Sequence, residues 1–170
     1  MSTKYKYAEL SDLKDILKLE NQFFVNKESP SETYESMNLF FKLGGNILMR
    51  IENNQPIACI EFIHVKNIDE RILSLKNFSP LKCVYILNPR RYTKSENALL
   101  IHGWIDNGHI TKDLFWKIIK DYENNEILGF IPVDNYKALK FYLSLGAIVI
   151  DKVSRIYDKE DAHYVLKRKI

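Results

Sequence analysis

Two spacings of apolar residues alternate along this chain, and each spacing predicts a different kind of element. Short continuous apolar runs are typical of buried strands, whereas apolar residues three and four positions apart are typical of helices. Strands are predicted at 5–10, 46–52, 56–65, 98–105, 126–133, 147–150 and 163–166. Helices are predicted after Ser11, after Thr111, after Asp134 or Asn135, and from a start within 29–32 to a stop at Gly44. Short polar side chains can cap the first turn of each helix. The predicted order is strand, two helices, two strands, a long connection, strand, helix, strand, helix and two strands.

The connection at 66–97 is far longer than the ~4–6 residues typical of compact domains. It contains a candidate helix at 70–75 and a strand-like run at 83–87. The stretch 81–87 is too apolar for a disordered segment. We therefore expect the insertion 66–97 to pack beside a binding site or against a second copy of the chain. An ordered insertion that merely extends the sheet is the alternative.

The segment 135–147 carries the most specific motif of the chain. Gly146 closes the predicted helix, because glycine enters the left-handed conformation without a Cβ penalty. With Asn135, Ala138 and Tyr142 it gives the spacing Asn-x-x-Ala-x-x-Phe-Tyr-x-x-x-Gly. This spacing resembles the late motif of the GCN5-related N-acetyltransferases, the GNAT superfamily, which has Phe where this chain has Ala147. The predicted order of elements also matches the order in that family.

The resemblance implies an α/β (α+β) fold, with a mixed central sheet of about seven strands flanked by about four helices. It implies a single domain over 1–170, with the insertion 66–97 between the third and fourth strands. It also implies a donor, acetyl-CoA or another acyl-CoA, bound where the strands before and after the third helix splay apart. Free N–H groups and the helix dipole attract the pyrophosphate to the N-terminus of that helix. The same periodicities also fit other mixed α/β domains.

The pyrophosphate loop of the family reads Arg/Gln-x-x-Gly-x-Gly/Ala, and this chain departs from it. His109 and Thr111 stand at the glycine positions, and Asp106 stands at the Arg or Gln position. Glycine lets phosphates approach the backbone closely, whereas Asp106 would repel them. Gly108 and Lys112 offer partial compensation, so a weakened site and a working site both remain open. The resemblance places donor contacts at Ile105, Gly108, His109, Ile110, Thr111, Lys112 and Asn135.

Side chains in the late motif and on the central strands are candidates for catalysis. Tyr142 stands where the general acid of the family reprotonates the leaving thiolate, and a phenol of pKa ~10 suits a thiol of ~8.5. Core packing is the alternative for Tyr142, and helix capping is the alternative for Asn135. Glu61, His102 and Asp106 are candidates to take the proton of an amine acceptor. An inward Glu61 is costly unless it is used or paired, but strand alternation also allows a solvated face.

Composition narrows the partners more than the chemistry. The 170 residues are 46% hydrophobic and 28% charged with a net charge of +3, which does not require a nucleic-acid partner. No apolar run reaches the ~20 residues of a membrane span, and the first residues lack the apolar segment of a signal peptide. Cys59 and Cys83 are too few for a disulfide scaffold or a four-ligand zinc site. We expect a cytoplasmic location, no metal, and core positions for Trp104 and Trp116.

The resemblance favours an acyltransferase, in particular an N-acetyltransferase, with a small-molecule or protein amine as acceptor. A backbone N–H around 104–106 would stabilise the tetrahedral intermediate. The alternative is a non-catalytic binding or structural module, of viral origin for example, that uses 66–97 with Arg90 and Arg91 to bind a protein partner or a second copy. A nucleobase-modifying enzyme of this fold is a weaker alternative, because the basic excess is small. The segment 100–108 is faintly similar to the toxin-activating lysine acyltransferases, although no His precedes His64 here.

Overall fold

The computed structural model describes residues 4–24, 33–68, 89–106, 112–154 and 162–168. The strands within these residues are β1 (Lys4–Tyr7), β2 (Gly45–Glu52), β3 (Gln55–His64), β4 (Leu99–Asp106), β5 (Ile127–Pro132), β6 (Ile148–Ser154) and β7 (Ala162–Arg168). The α-helices are α1 (Leu13–Phe24), α2 (Tyr34–Lys42), α3 (Lys112–Asp121) and α4 (Tyr136–Ser144). Short 3-10 helices lie at Leu10–Asp12, Val65–Asn67 and Pro89–Arg91.

The seven strands form one mixed sheet in the order β1-β2-β3-β4-β5-β7-β6. The strands β4 and β5 pair in parallel, whereas β1 with β2, β2 with β3, β5 with β7, and β6 with β7 pair antiparallel. The predicted α/β fold, with about seven strands and about four helices, is thereby confirmed. The long connection also lies where it was predicted, since β3 ends at His64 and β4 begins at Leu99. The candidate elements at 70–75 and 83–87 lie outside the described residues.

The described residues divide into two compact units. The first unit takes its residues from Met1–Ile63 and His102–Tyr122, and the second unit takes them from His64–Ile101 and Glu123–Ile170. Buried apolar side chains of the first unit include Leu13, Ile16, Phe40, Ile47, Phe62, Leu114 and Phe115. Those of the second unit include Leu99, Leu128, Phe141, Val165 and Leu166. The single domain predicted over 1–170 stays a prediction.

Local turn chemistry explains why the predicted hairpin and helix boundaries form where they do. Asn53 and Asn54 have φ values of 50° and 60°, the left-handed pair that a two-residue hairpin between β2 and β3 requires. Gly146 follows α4 with φ of 83°, as the late motif predicts. Thr33 caps α2 by accepting a hydrogen bond from the Ser36 amide at 3.2 Å. The helix start predicted within 29–32 lies outside the described residues.

The core position predicted for Trp116 is wrong. Its side chain is 46% exposed on α3. The buried residues of this helix are Leu114, Phe115, Ile118 and Ile119. At about 100° per residue these four point to one side of the helix, and position 116 points to the opposite side. Helical spacing decides the direction of this side chain, not its large apolar surface.

Candidate functional site

Glu61 is a buried carboxylate in the first unit. It lies on β3 opposite Ile47 of β2, and only 4% of the residue is exposed. The alternative prediction, that Glu61 lies on a solvated face of β3, is therefore wrong, because β3 is buried on both faces from Ala58 to Ile63. Burying a carboxylate is costly, so a side chain kept in this position is a candidate for a chemical or electrostatic role.

Gly103 of β4 makes room for the Glu61 carboxylate. A Cβ atom built at Gly103 would lie 2.8 Å from Oε2 of Glu61, closer than real Cβ contacts. The carboxylate therefore lies against the backbone of β4, in the strand that carries Ile105 and the backbone at 104–106. Any larger residue at 103 would displace the carboxylate. The structure thus places Glu61, the predicted proton acceptor, against β4, the strand that carries the predicted donor contact Ile105.

Two further buried groups accompany Glu61 in the first unit. Cys59 lies two residues earlier on β3 and is fully buried. Burial raises the pKa of the Cys59 thiol, and the charges of Glu61 and Glu20 raise it further, so the thiol stays uncharged. Glu20 lies on α1 and is 7% exposed. Sequence reasoning missed Glu20, although it falls on the apolar face of α1, seven residues after Leu13 and four after Ile16.

Tyr142 is a buried phenol in the second unit. It lies on α4, is 8% exposed, and packs its ring over the backbone of Gly129 on β5. A Cβ at Gly129 would lie 3.5 Å from Cε1 of Tyr142 and 4.0 Å from its hydroxyl oxygen. Burial raises the pKa of the Tyr142 phenol well above its ordinary value. The phenol therefore stays protonated at neutral pH, but it is a weaker acid than the sequence argument assumed.

Asn135 caps the helix that carries Tyr142. Its side-chain oxygen accepts a hydrogen bond from the backbone amide of Ala138 at 3.1 Å, and its backbone amide donates to the Pro132 carbonyl at 3.0 Å. The late motif therefore folds as a strand, a capped helix and a glycine stop. Capping accounts for an Asn at this position, so the donor contact predicted for Asn135 stays a prediction.

The described part of the predicted donor site consists of Ile105 and Lys112, both in the first unit. Ile105 is buried on β4, and Lys112 is exposed as the first residue of α3. Asp113 follows Lys112, but it accepts a hydrogen bond from the Tyr5 hydroxyl at 3.3 Å and lies 4.0 Å from the Arg50 guanidinium. Arg50 pairs more closely with Glu52, at 2.6 Å, so the carboxylate of Asp113 keeps a negative charge beside Lys112 at the start of α3. The positive charge of Lys112 and the helix N-terminus therefore favour an anion, whereas Asp113 opposes it.

The other predicted site residues lie partly or wholly outside the described part of the chain. Gly108, His109, Ile110 and Thr111 are outside it, and of His102 the structure describes only its place on β4. The candidates that are described divide between the units: Glu61, Ile105 and Lys112 belong to the first, and Tyr142 and Asn135 belong to the second.

The described residues offer neither a metal site nor a membrane-spanning helix. In these residues no group of three or more His, Cys, Asp or Glu side chains is placed to hold a metal ion. Nor does any helix within the described ranges combine the length and the apolar character that crossing a membrane requires.

Hydrogen bonds join the C-terminal part of the insertion, residues 89–97, to other strands and turns of the second unit. The Tyr92 hydroxyl donates to Asp151 of β6 at 2.9 Å, and Nζ of Lys167 on β7 donates to the Tyr92 carbonyl at 3.1 Å. Thr93 donates to Glu126, which also pairs with Lys167 at 2.8 Å. Residues 89–98 are therefore an ordered part of this unit.

No protein-family model matches this sequence, and no curated protein matches it. Solved structures do match. The chain is similar to the ribosomal-protein-S18-alanine N-acetyltransferase from Escherichia coli (TM-score 0.68, 11% identity, covering 99% of this chain and 94% of that chain). It is similar to yncA from Salmonella typhimurium, solved with its cofactor acetyl-CoA (TM-score 0.65, 13% identity, covering 99% of this chain and 94% of that chain). It is also similar to the NatC complex bound to Gag peptide and CoA (TM-score 0.62, 20% identity, covering 100% of this chain and 99% of that chain). At such identities these structures show a shared fold, and the similarity to toxin-activating lysine acyltransferases stays a prediction.

Proposed function

From the fold that this chain shares with the GCN5-related N-acetyltransferases, we propose that it transfers the acyl group of a thioester donor, such as acetyl-CoA, to an amine. The observation that carries the proposal is the buried carboxylate of Glu61 against Gly103 on β4. A packed core alone does not call for a carboxylate there, because an apolar side chain of similar size would avoid the cost of burying a charge.

Glu61 is the proton acceptor in this proposal. The amine nitrogen forms the new bond to the acyl carbon while the bond from that carbon to sulfur breaks, and the proton of the amine passes to Glu61. Proton transfer of this kind contributes about 10²–10⁴-fold to a rate.

The donor would be held by Lys112 and the start of α3, with Ile105, the residues 108–111 and Asn135 as the further contacts that the resemblance implies. Acyl-CoA supplies the activated acyl group. Lys112 contributes a positive charge where the unpaired N–H groups of the helix also favour an anion. The resemblance implies that Tyr142 gives its proton to the departing thiolate. Burial keeps the phenol protonated at neutral pH, and the raised pKa also makes it a weaker acid than a solvated phenol.

Calorimetry with acetyl-CoA and CoA tests the proposal first. We expect binding tighter than ~100 μM, or roughly 5 kcal/mol. Mass spectrometry then follows acetylation of peptide N-termini, lysine peptides and small polyamines. Peptide N-termini come first, because two of the similar structures are named for a ribosomal-protein alanine and a bound Gag peptide. No binding of either ligand at millimolar concentration would overturn the proposal for a free coenzyme donor.

A non-catalytic binding module is the second candidate, and one observation favours it. Asn135 caps α4 and Tyr142 fills the space over Gly129, so packing alone accounts for both residues of the late motif. The substitution Glu61→Gln separates the two candidates. A module binds its partner equally well with either residue, whereas an enzyme loses turnover and keeps its affinity for the donor.

We further propose that the insertion 66–97 selects the acceptor or a protein partner, including a second copy of the chain. Residues 89–98 are fastened within the second unit, so the sharper test removes only 69–88. A short Gly-Ser linker can replace this stretch, because the Arg90 guanidinium donates to the Ile68 carbonyl at 3.1 Å and the two ends are therefore close. The shortened chain should keep donor binding and lose acceptor or partner binding. Normal acceptor use and an unchanged oligomeric state would contradict this idea.

A further inference from the structure

A pocket in the second unit lies at the foot of the insertion, beside the turn that leads into β4. Its volume is about 360 Å³, within the range of pockets that hold small molecules. The residues that line it are Val65, Lys66, Arg90, Thr93, Lys94, Ser95 and Glu96. None of the side chains proposed to act in acyl transfer lines this pocket, so it is separate from the donor and proton-transfer residues.

The charges around the pocket are mostly positive. Lys66, Arg90 and Lys94 line it together with one carboxylate, Glu96, which leaves a formal excess of two positive charges. Within the part of the chain that the structure describes, none of these three cations forms an ion pair. The three cations are exposed and line one pocket, so an anion bound there could accept hydrogen bonds from each of them.

Backbone hydrogen bonds hold the two walls of the pocket together. The Val65 amide donates to the Ala98 carbonyl at 2.8 Å, and the Lys66 amide donates to the Glu96 carbonyl at 3.3 Å. The Arg90 guanidinium also donates to the Ile68 carbonyl, two residues beyond Lys66. These bonds fix the backbone that carries the lining residues, which lowers the entropy lost on binding.

The floor of the pocket is fixed by a buried polar group. Thr93 is 8% exposed, donates its hydroxyl proton to Glu126, and accepts a hydrogen bond from the Ser95 amide at 3.0 Å. Glu126 also pairs with Lys167 of β7. The turn at 93–96, which carries Lys94 and Ser95, is thus anchored to the strands of the second unit. Exposed cations on an anchored turn lose less freedom on binding than cations on a free loop.

We propose that this pocket binds the phosphate groups of a small phosphorylated molecule. Phosphate suits it because a guanidinium and two ammonium groups can each donate to phosphate oxygens, and Ser95 adds a hydroxyl donor. A single carboxylate ligand would match only part of an excess of two positive charges, whereas one phosphate monoester group, which carries about −1.5 to −2 near neutral pH, matches it. The inference does not depend on acyl transfer, because neither Glu61, Tyr142 nor any proposed donor contact lines the pocket. Its lining residues from 66 to 96 do belong to the insertion proposed to select the acceptor or a partner, so the test uses pyrophosphate alone.

Calorimetry with pyrophosphate, at low salt and without any coenzyme, tests the inference. We expect a dissociation constant below about 1 mM for the unaltered chain. Arg90→Gln and Lys94→Gln should each weaken binding about five- to tenfold, because each removes a charge-assisted donor. Glu96→Gln should strengthen binding severalfold, since it removes the one negative charge of the lining. A merely structural role for these residues predicts no such pair of opposite effects.

Lys137→Gln is the matched control, an exposed cation on α4 of the same unit that does not line the pocket. It should leave pyrophosphate binding unchanged.

ADP is the second probe. If ADP and pyrophosphate bind with equal affinity, the pocket contacts only phosphate groups. If ADP binds more tightly than pyrophosphate, the organic part of the ligand also contacts the pocket. No pyrophosphate binding at 10 mM, or binding that is lost in Lys112→Gln and kept in the Arg90 and Lys94 variants, would overturn the inference. A single-stranded oligonucleotide that binds more tightly than pyrophosphate through Arg90 and Lys94 would assign the pocket to nucleic acid instead.

Discussion

Each unit of this protein places a candidate catalytic side chain over a glycine of a central strand, but the two arrangements differ. In the first unit, a Cβ at Gly103 would lie 2.8 Å from a carboxylate oxygen of Glu61. In the second unit, a Cβ at Gly129 would lie 3.5 Å from the ring of Tyr142, an ordinary packing distance. A side chain at position 103 would require the Glu61 carboxylate to shift, whereas a Cβ at position 129 would meet the Tyr142 ring at ordinary van der Waals distance.

The difference separates a residue that packing explains from one that it does not. Tyr142 buries a large apolar ring and would stabilise α4 on β5 whether or not its hydroxyl does chemistry. Glu61 buries a carboxyl group, which is costly unless hydrogen bonds or an ion pair compensate it, so apolar packing alone does not explain this residue. The first unit therefore holds the stronger evidence for chemistry, even though the motif that suggests the chemistry lies in the second.

The largest effect is expected for Glu61→Gln, which removes the proposed proton acceptor and keeps the shape of the side chain. Turnover should fall about hundredfold or more, roughly 2.7 kcal/mol, with acetyl-CoA affinity unchanged. Glu20→Gln is the control, because it also neutralises a buried carboxylate of the first unit. Turnover is measured as thiol release, and folding as thermal midpoint. Equal losses of turnover in both variants would show that Glu61 matters only as a buried charge.

The free energies of unfolding of Gly103→Ala and Gly129→Ala test whether the two glycines differ in the room they leave for a side chain. The first substitution should cost about 1–3 kcal/mol, because the new Cβ collides with the Glu61 carboxylate. The second should be neutral or stabilising by about 0.5 kcal/mol, since alanine suits a strand better than glycine when there is room. Urea unfolding measures both. A double variant with Glu61→Ala should recover part of the loss at Gly103, and equal costs at the two glycines would contradict the distinction.

Tyr142→Phe should lower turnover about tenfold, or about 1.4 kcal/mol, and leave acetyl-CoA affinity nearly unchanged. The phenolic proton matters only as the thiolate departs, so its loss acts on the transition state. Steady-state kinetics measured beside calorimetry separate the two quantities. Unchanged turnover would assign Tyr142 to packing alone and leave the second unit without a candidate catalytic side chain.

The smallest effect is expected in alkaline solution. Burial raises the pKa of Tyr142 in the folded chain above the ordinary value of ~10, so above that pH the unfolded chain releases the proton and the folded chain keeps it. The stabilisation is complete below pH ~10 and declines as the pH rises. At pH 10.5 the unaltered chain should have lost about 0.8 kcal/mol that Tyr142→Phe does not lose. Tyr136→Phe, at an exposed position of the same helix, should behave like the unaltered chain.

The sequence by itself determined the order of the elements and the late motif. Apolar spacing placed all seven strands and all four described helices, because the periods of helices and strands differ and are local. Asn135 as a cap and Gly146 as a stop were readable for the same reason, since capping depends on neighbours three or four residues away. Local periodicity also places Trp116 on the outer side of α3, although residue type alone had suggested the core.

Only the tertiary structure decided which polar residues are buried and what lies next to them. Glu61 could have faced solvent, and it lies inside because β3 is covered on both faces. Gly103 is forty-two residues from Glu61 along the chain, so no local pattern connects the carboxylate with the glycine that accommodates it. The basic pocket is equally hidden in the sequence, since Lys66 meets Arg90 and Lys94 only when the two ends of the insertion come together. Contacts between residues distant in sequence depend on packing, and apolar spacing carries no information about them.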